Sequence, residues 1–222
     1  MKTIKFNLLL AFLLTISISV SAQNPYAEIE KDGAEYATTV TFAGQKPIIN
    51  DFISHLFPTS DEIDEMNSEL DVTLGQVWAR YKKNTLKPTE KVTADSKNGF
   101  ACFEINDPDE GFGKEQLIVD VCYWNSSDTK HKVVAESVKV FRDGKVIETE
   151  LTGLSLYVYN NATHKLTYAN RYDMGVDITT DGEAVTYDLP RVGKDIKAFI
   201  HLPSGKKEVL VKWNGSKFEV QK

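Results

Sequence analysis

The apolar positions along this chain change period once, near residue 100. Before that point they fall at helical spacing. Ile48, Ile49, Phe52, Ile53, Leu56 and Phe57 share one helical face, with Pro47 suited to a first turn and Pro58 to an end. Thr59-Ser60-Asp61-Glu62 has the form of a capping box and predicts a helix running toward Met66. From about Asp71, Leu74, Val77, Trp78 and Tyr81 define another apolar face. Arg80, Lys82 and Lys83 gather at its C-terminal end, where the helix dipole favours cations. Asp71 and Gly75 mark where a break between two helices would fall. Upstream, residues 27–31 and 34–42 flank Asp32-Gly33, a tight-turn pair that predicts a hairpin. Residues 84–98 are polar, contain Pro88 and read as a connecting loop.

From Phe100 onward the period is two. Leu117, Val119, Val121 and Tyr123 alternate with Ile118, Asp120, Cys122 and Trp124. Val134, Glu136, Val138 and Val140 alternate with Val133, Ala135, Ser137, Lys139 and Phe141. Turn sequences recur at Asp143-Gly144, Asn160-Asn161-Ala162-Thr163, Asp181-Gly182, Ser204-Gly205 and Asn214-Gly215. They divide the rest into strands near 117–125, 132–141, 145–151, 153–159, 165–172, 184–189, 195–202, 206–213 and 216–221. Strands joined by tight turns run antiparallel. The expected fold class is therefore α+β: a short N-terminal helical region, residues 23–98, packed on a long C-terminal antiparallel β-meander, residues 99–222, in a single globular unit. A closed barrel or a few propeller-like blades fits the same hairpins as the alternative.

Pairing follows from the turns. Centring on Asn214-Gly215 sets Val211 opposite Phe218, Val209 opposite Val220, and Lys212 against Lys217. Centring on Ser204-Gly205 sets Ile200 opposite Val209. Folding residues 100–105 back on 117–123 sets Cys102 opposite Cys122, Phe103 opposite Val121 and Ile105 opposite Val119. A cross-strand disulfide is in reach there, and Glu104 meets Asp120.

Residues 1–22 bear on compartment. Lys2 and Lys5, an apolar stretch to Val20 and the small residues Val20-Ser21-Ala22 form the three-part layout of a secretory signal peptide, with Gln23 as the expected first mature residue. The mature chain is then exported, periplasmic or secreted, with no membrane span. An oxidising compartment is what makes one disulfide between Cys102 and Cys122 the expectation. Removing Lys2 and Lys5 from the 26 basic residues leaves 24 against 32 acidic ones, a net charge of −8. That sign repels phosphate backbones and argues against a nucleic-acid partner.

The run Leu189-Pro190-Arg191-Val192-Gly193-Lys194-Asp195-Ile196, followed by Lys212-Trp213-Asn214-Gly215-Ser216-Lys217-Phe218-Glu219, resembles the ends of exported bacterial proteins of unknown function that close on a Trp-Asn-Gly β-hairpin. Cys122-Tyr123-Trp124-Asn125 and residues 153–159 are similar to parts of the same group. The resemblance implies a β-rich export domain over most of residues 100–222. It brings no activity and no catalytic residues.

Chemistry-bearing patterns are few. His55, His131, His164 and His201 show no metal-ligand spacing, and no nucleophile elbow, phosphate loop or zinc-protease motif occurs. Asp107 and Asp109 precede Gly111 as calcium ligands precede a loop glycine. The next alternate position is Gly111 itself and the distal glutamate is absent, so a solvated loop is expected and no metal or cofactor. Three Asn-x-Ser/Thr sequons, at Asn125, Asn161 and Asn214, are explained by the turn preference of asparagine.

Tyrosines carry the remaining signal. Centring a turn on Ala162-Thr163 pairs Tyr157 with Tyr168 and Tyr159 with Leu166. Tyr157, Tyr159, Tyr168 and Tyr172 then share one sheet face that can stack on a sugar ring or anchor a protein partner, unless helices or a second layer cover it. A non-catalytic binding or interaction module with an unknown protein or glycan ligand is the first functional expectation. A carboxylate-based secreted hydrolase, and an inhibitor or structural subunit acting by sheet-edge contacts, are the alternatives.

Overall fold

The Asp32-Gly33 pair, expected at a hairpin turn, instead ends a helix. In a computed structural model of the chain, which describes residues 24–59, 68–106 and 115–221, Ala27–Asp32 forms helix α1. Its alanine, glutamate and lysine positions are good helix formers without strand alternation. The Asn24 side chain accepts from the Tyr26 N–H at 2.9 Å, and the Gly33 N–H closes the last turn on the Ile29 carbonyl. Gly33 is needed for close approach: a Cβ there would lie 2.4 Å from Thr167 Cγ2. A single 3₁₀ turn, Ala34–Tyr36, leads to the short strand β1, Thr38–Thr39. The expected signal peptide, the capping box beyond Thr59 and the Asp107/Asp109 loop lie outside the described residues.

The two apolar helical stretches form α2, Ile49–Leu56, and α3, Glu69–Lys82. Ile49, Phe52, Ile53 and the following Phe57 are fully buried, and Asp51 accepts the orphan Ile48 N–H at 2.8 Å. Helix α3 starts on a reciprocal capping box. Ser68 Oγ accepts from the Asp71 N–H at 3.2 Å, and the Asp71 carboxylate accepts from the Ser68 N–H at 2.8 Å. Gly75 does not break this helix. It is buried in its middle, where a Cβ would sit 2.1 Å from the Pro58 carbonyl oxygen, so the glycine lets backbone meet backbone.

Residues 84–98 are not all loop, because Glu90–Asp95 is strand β2. Then come β3 (Phe100–Asn106), β4 (Glu115–Asn125), β5 (His131–Arg142), β6 (Lys145–Ile147), β7 (Gly153–Asn160) and β8 (Lys165–Ala169). The last four strands are β9 (Val185–Asp188), β10 (Ile196–Leu202), β11 (Gly205–Trp213) and β12 (Phe218–Val220). Among the described residues all pairings are antiparallel, but they make two sheets and not one meander. The larger has the order β1-β8-β7-β5-β4-β3-β2, with β6 also on β5, and the smaller the order β12-β11-β10-β9. The chain leaves the first sheet after Ala169. Met174, Val176 and Ile178 are buried there, and Gly175, at φ +83°, would place a Cβ 2.1 Å from the Phe218 carbonyl oxygen. The chain is thus mostly β, with two antiparallel sheets and few helices.

Both faces of the larger sheet are covered. Between the sheets lie Trp124, Val133, Leu156, Tyr187, Val211 and Phe218. On the other face, Phe52, Leu74 and Trp78 of the helices pack with Phe103, Val119 and Tyr159. Strand β5 is accordingly buried from His131 to Val140 on both phases of its alternation. No helix among the described residues is long and apolar enough to cross a membrane.

Candidate functional site

The Tyr157–Tyr168 pairing is present in the expected register, and the two rings meet edge to face at 5.8 Å. The four tyrosines nevertheless part company. Tyr159 is fully buried against Phe52, at 5.3 Å, and belongs to the core. Tyr157 is half-buried beside the same cluster, and burial, with the nearby Glu136, pushes its phenol up. Tyr168 is 57% exposed and Tyr172 49% exposed. Tyr172 lies beyond the end of β8. Arg171 sits 5.0 Å over its ring and donates to its hydroxyl at 3.0 Å.

Tyr168 borders a groove of about 370 Å³ between α1 and β8. Ile29 and Gly33 contribute from α1 and its end, and Tyr36, 65% exposed, also lines it. Glu28, Asp32, Asp173, Asn170 and Lys217 supply its polar groups. Tyr36 was not among the predicted site residues, and it reaches the groove only because residues 34–36 form a 3₁₀ turn and not a strand.

The cysteines are both free. Strand β3 pairs with β4 two residues away from the predicted register, so Cys102 faces Asp120, Phe100 faces Cys122, and Glu104 faces Ile118. The slip removes the predicted Glu104–Asp120 clash, and Glu104 instead pairs with Lys91. Burial pushes both thiols up, and the Asp120 charge adds to it. Asp120 also accepts from Lys139 Nζ at 2.8 Å, and Lys139 reaches Asp188 on the second sheet at the same distance. Burial opposes the Lys139 charge, yet the two aspartates outweigh it and hold its pKa above the usual value.

Two further buried groups were not singled out by sequence. Glu136, only 8% exposed, lies between Val121 and Ser155 on the sheet face that carries the helices. Burial, and then the charge of Asp71, raises its pKa to about 8. A carboxyl that stays protonated at neutral pH can donate a proton or a hydrogen bond. His131 is 2% exposed. Its Nδ1 meets Asp128 at 2.5 Å and its Nε2 meets Glu30 at 3.2 Å, while Asn160 donates to the same Glu30 oxygen at 2.7 Å. Both ring nitrogens are occupied, so this imidazole ties α1 to the start of β5. His55 bonds Thr38, and His201 bonds Thr186. Among the described residues no three His, Cys, Asp or Glu side chains converge as a metal site.

No protein-family model, no curated protein and no solved structure matches this chain.

Proposed function

We propose that this chain is an exported, non-catalytic binding module, an α+β unit whose N-terminal helices cover one sheet face, and that it takes a glycan in the groove beside α1. The observation that carries this reading is the placement of Tyr36 and Tyr168, both largely exposed, on one concave site that carboxylate and amide side chains also line. A pyranose presents an apolar C–H face and a rim of hydroxyls. Aromatic rings supply broad contact for the first, and Glu28, Asp32, Asn170 and Asp173 offer acceptors for the second. Ligand capture by sheet-edge addition has less support: among the edge strands β1, β9 and β12 are two, four and three residues long, and β2, at six, carries the charged residues Glu90, Lys91 and Asp95.

The test is calorimetric titration with neutral oligosaccharides of glucose, N-acetylglucosamine and mannose. Tyr36→Ala and Tyr168→Ala should each weaken binding about tenfold, by the usual cost of truncating an aromatic anchor, with thermal unfolding unchanged. Binding that survives both substitutions retires the groove as the contact surface.

A second reading, a carboxylate hydrolase, draws on Glu136, whose raised pKa suits a general acid. It predicts turnover of glycan or ester substrates that Glu136→Gln abolishes, and absence of turnover across such a panel retires it.

A further inference from the structure

A second concave site, of about 400 Å³, lies where the turn before α2 meets the end of the β4–β5 hairpin, and it shares no lining residue with the tyrosine-rimmed groove. Lys46, Tyr123, Asn125, Lys132 and Asn161 line it, and no acidic residue does, although acids outnumber bases 32 to 26 in the chain. Its positive character is therefore local. Lys132 is 5% exposed. Its Nζ donates to Asn125 Oδ1 at 2.5 Å and sits 4.4 Å over the Tyr123 ring. Among the described residues no carboxylate stands within 4 Å of it, in contrast to Lys139, which holds two. Burial, and then the charge of Lys46, pushes its pKa down. A buried ammonium with a second cation beside it and only a neutral partner is costly unless something supplies the counter-charge.

An unpaired polar atom lies on a lining residue of the same pocket. The side-chain oxygens buried without a hydrogen-bond partner among the described residues are Asn161 Oδ1 and Tyr159 Oη. Asn161 lines this pocket and uses its Nδ2 on the Thr129 carbonyl at 3.0 Å. Tyr159 is the cross-strand neighbour of Lys132 but does not line the pocket, and its ring packs against Phe52 in the core. Buried polar groups in folded proteins almost always have partners, and an exception on a residue that lines a cavity marks a place where a ligand or water completes the set.

We propose that this pocket binds a small molecule bearing both an oxyanion and a hydroxyl, a sugar acid or sugar phosphate, with Lys132 and Lys46 meeting the anion and Asn161 accepting from the hydroxyl. The cavity size fits one such unit, since ligand sites of this kind run from about 300 Å³ upward.

The probes are glucuronate and glucose 6-phosphate, with glucose and inorganic phosphate as controls, titrated into the folded protein while the side-chain amide resonances of Asn125 and Asn161 are followed. One or both acidic sugars should shift those resonances saturably. Glucose should not, and inorganic phosphate should bind more weakly for want of the hydroxyl. Which acidic sugar prevails separates a carboxylate from a phosphate ligand. Lys132→Met should weaken binding by more than about tenfold, the usual worth of a hydrogen bond to a charged group. Lys46→Ala, at an exposed position, should weaken it about threefold to fivefold. Tyr168→Ala, in the other groove, should leave it unchanged. If Lys132→Met fails to fold, Lys46→Ala decides alone. Amide shifts no larger with the acidic sugars than with glucose, or full affinity in Lys46→Ala, overturns the proposal.

Discussion

Replacing Glu136 with glutamine should stabilise the protein at pH 8 and leave it unchanged at pH 4. The folded carboxyl titrates at about 8 where an ordinary glutamate titrates at 4.5, because burial and then the Asp71 charge oppose ionisation. Between those values the folded state holds a proton that the unfolded state has released. Stability therefore falls as pH rises through this window and levels off above it. Over that interval, at 1.36 kcal/mol per pKa unit, the full effect is about 5 kcal/mol. Glutamine has the same shape and does not ionise, so the difference between variant and wild type isolates this one group while every other carboxylate cancels. Urea unfolding of both proteins at intervals from pH 4 to 9 measures it. The gain should be near zero at pH 4, rise from about pH 5 and reach about 2–5 kcal/mol by pH 8.5, the lower figure applying where water relaxes around the ionised carboxylate. Parallel curves across the range would refute the reasoning, and so would a wild type that becomes the more stable protein above pH 6.

Three further outcomes are expected. Lys139→Met strands the buried Asp120 and should cost about 3 kcal/mol in chemical unfolding, whereas Asp188→Asn removes a half-exposed partner and should cost under about 1 kcal/mol. Gly75→Ala should destabilise by about 2 kcal/mol despite the better helix propensity of alanine, because its Cβ would meet the Pro58 and Phe57 carbonyl oxygens at 2.1 and 2.7 Å. Thiol titration of the protein unfolded without reductant should find two free cysteines, and the native protein should label slowly, since burial holds both thiols protonated.

The strands were legible in the sequence because glycine- and asparagine-bearing turns punctuate them, but registers depended on loop details that composition does not reveal. At the last hairpin Asn214 Oδ1 accepts from the Ser216 and Lys217 N–H groups, at 3.0 and 2.9 Å, so the loop takes four residues and not two. Val211 then pairs with Val220, Trp213 with Phe218, and Lys212 meets Glu219 instead of Lys217. The preceding hairpin turns on Pro203-Ser204, which pairs Ala198 with Val209 and Ile200 with Lys207. Each slip is of two residues, so every side chain keeps its face and the apolar core survives the error. Strand β2 was not legible because its only apolar alternation is the pair Val92 and Ala94 among four polar residues, flanked by the polar stretch with Pro88; it lies at the sheet edge, where Glu90 is held by Arg80 at 2.6 Å.

The candidate sites were legible in part. Lys132 and Glu136 sit in the same phase of β5 as Val134, Val138 and Val140, and a charge in an apolar phase was a signal open to reading. Their neighbours were not. Lys46 and Asn161 come from segments far apart in the chain, and only the folded sheet brings them to one pocket. Likewise, the turn geometry placed Tyr157, Tyr159 and Tyr168 on one face. What it could not supply was the position of Phe52 over Tyr159, which separates a core tyrosine from the exposed Tyr168 at the groove.

The most direct measurement is a backbone and side-chain amide map of the folded protein recorded while a neutral oligosaccharide is added to saturation. Shifts concentrated at Ile29, Gly33, Tyr36, Tyr168 and Asn170 are the predicted result. A saturable footprint on the β9–β12 sheet instead, or no footprint with any of the glycans offered, would contradict it.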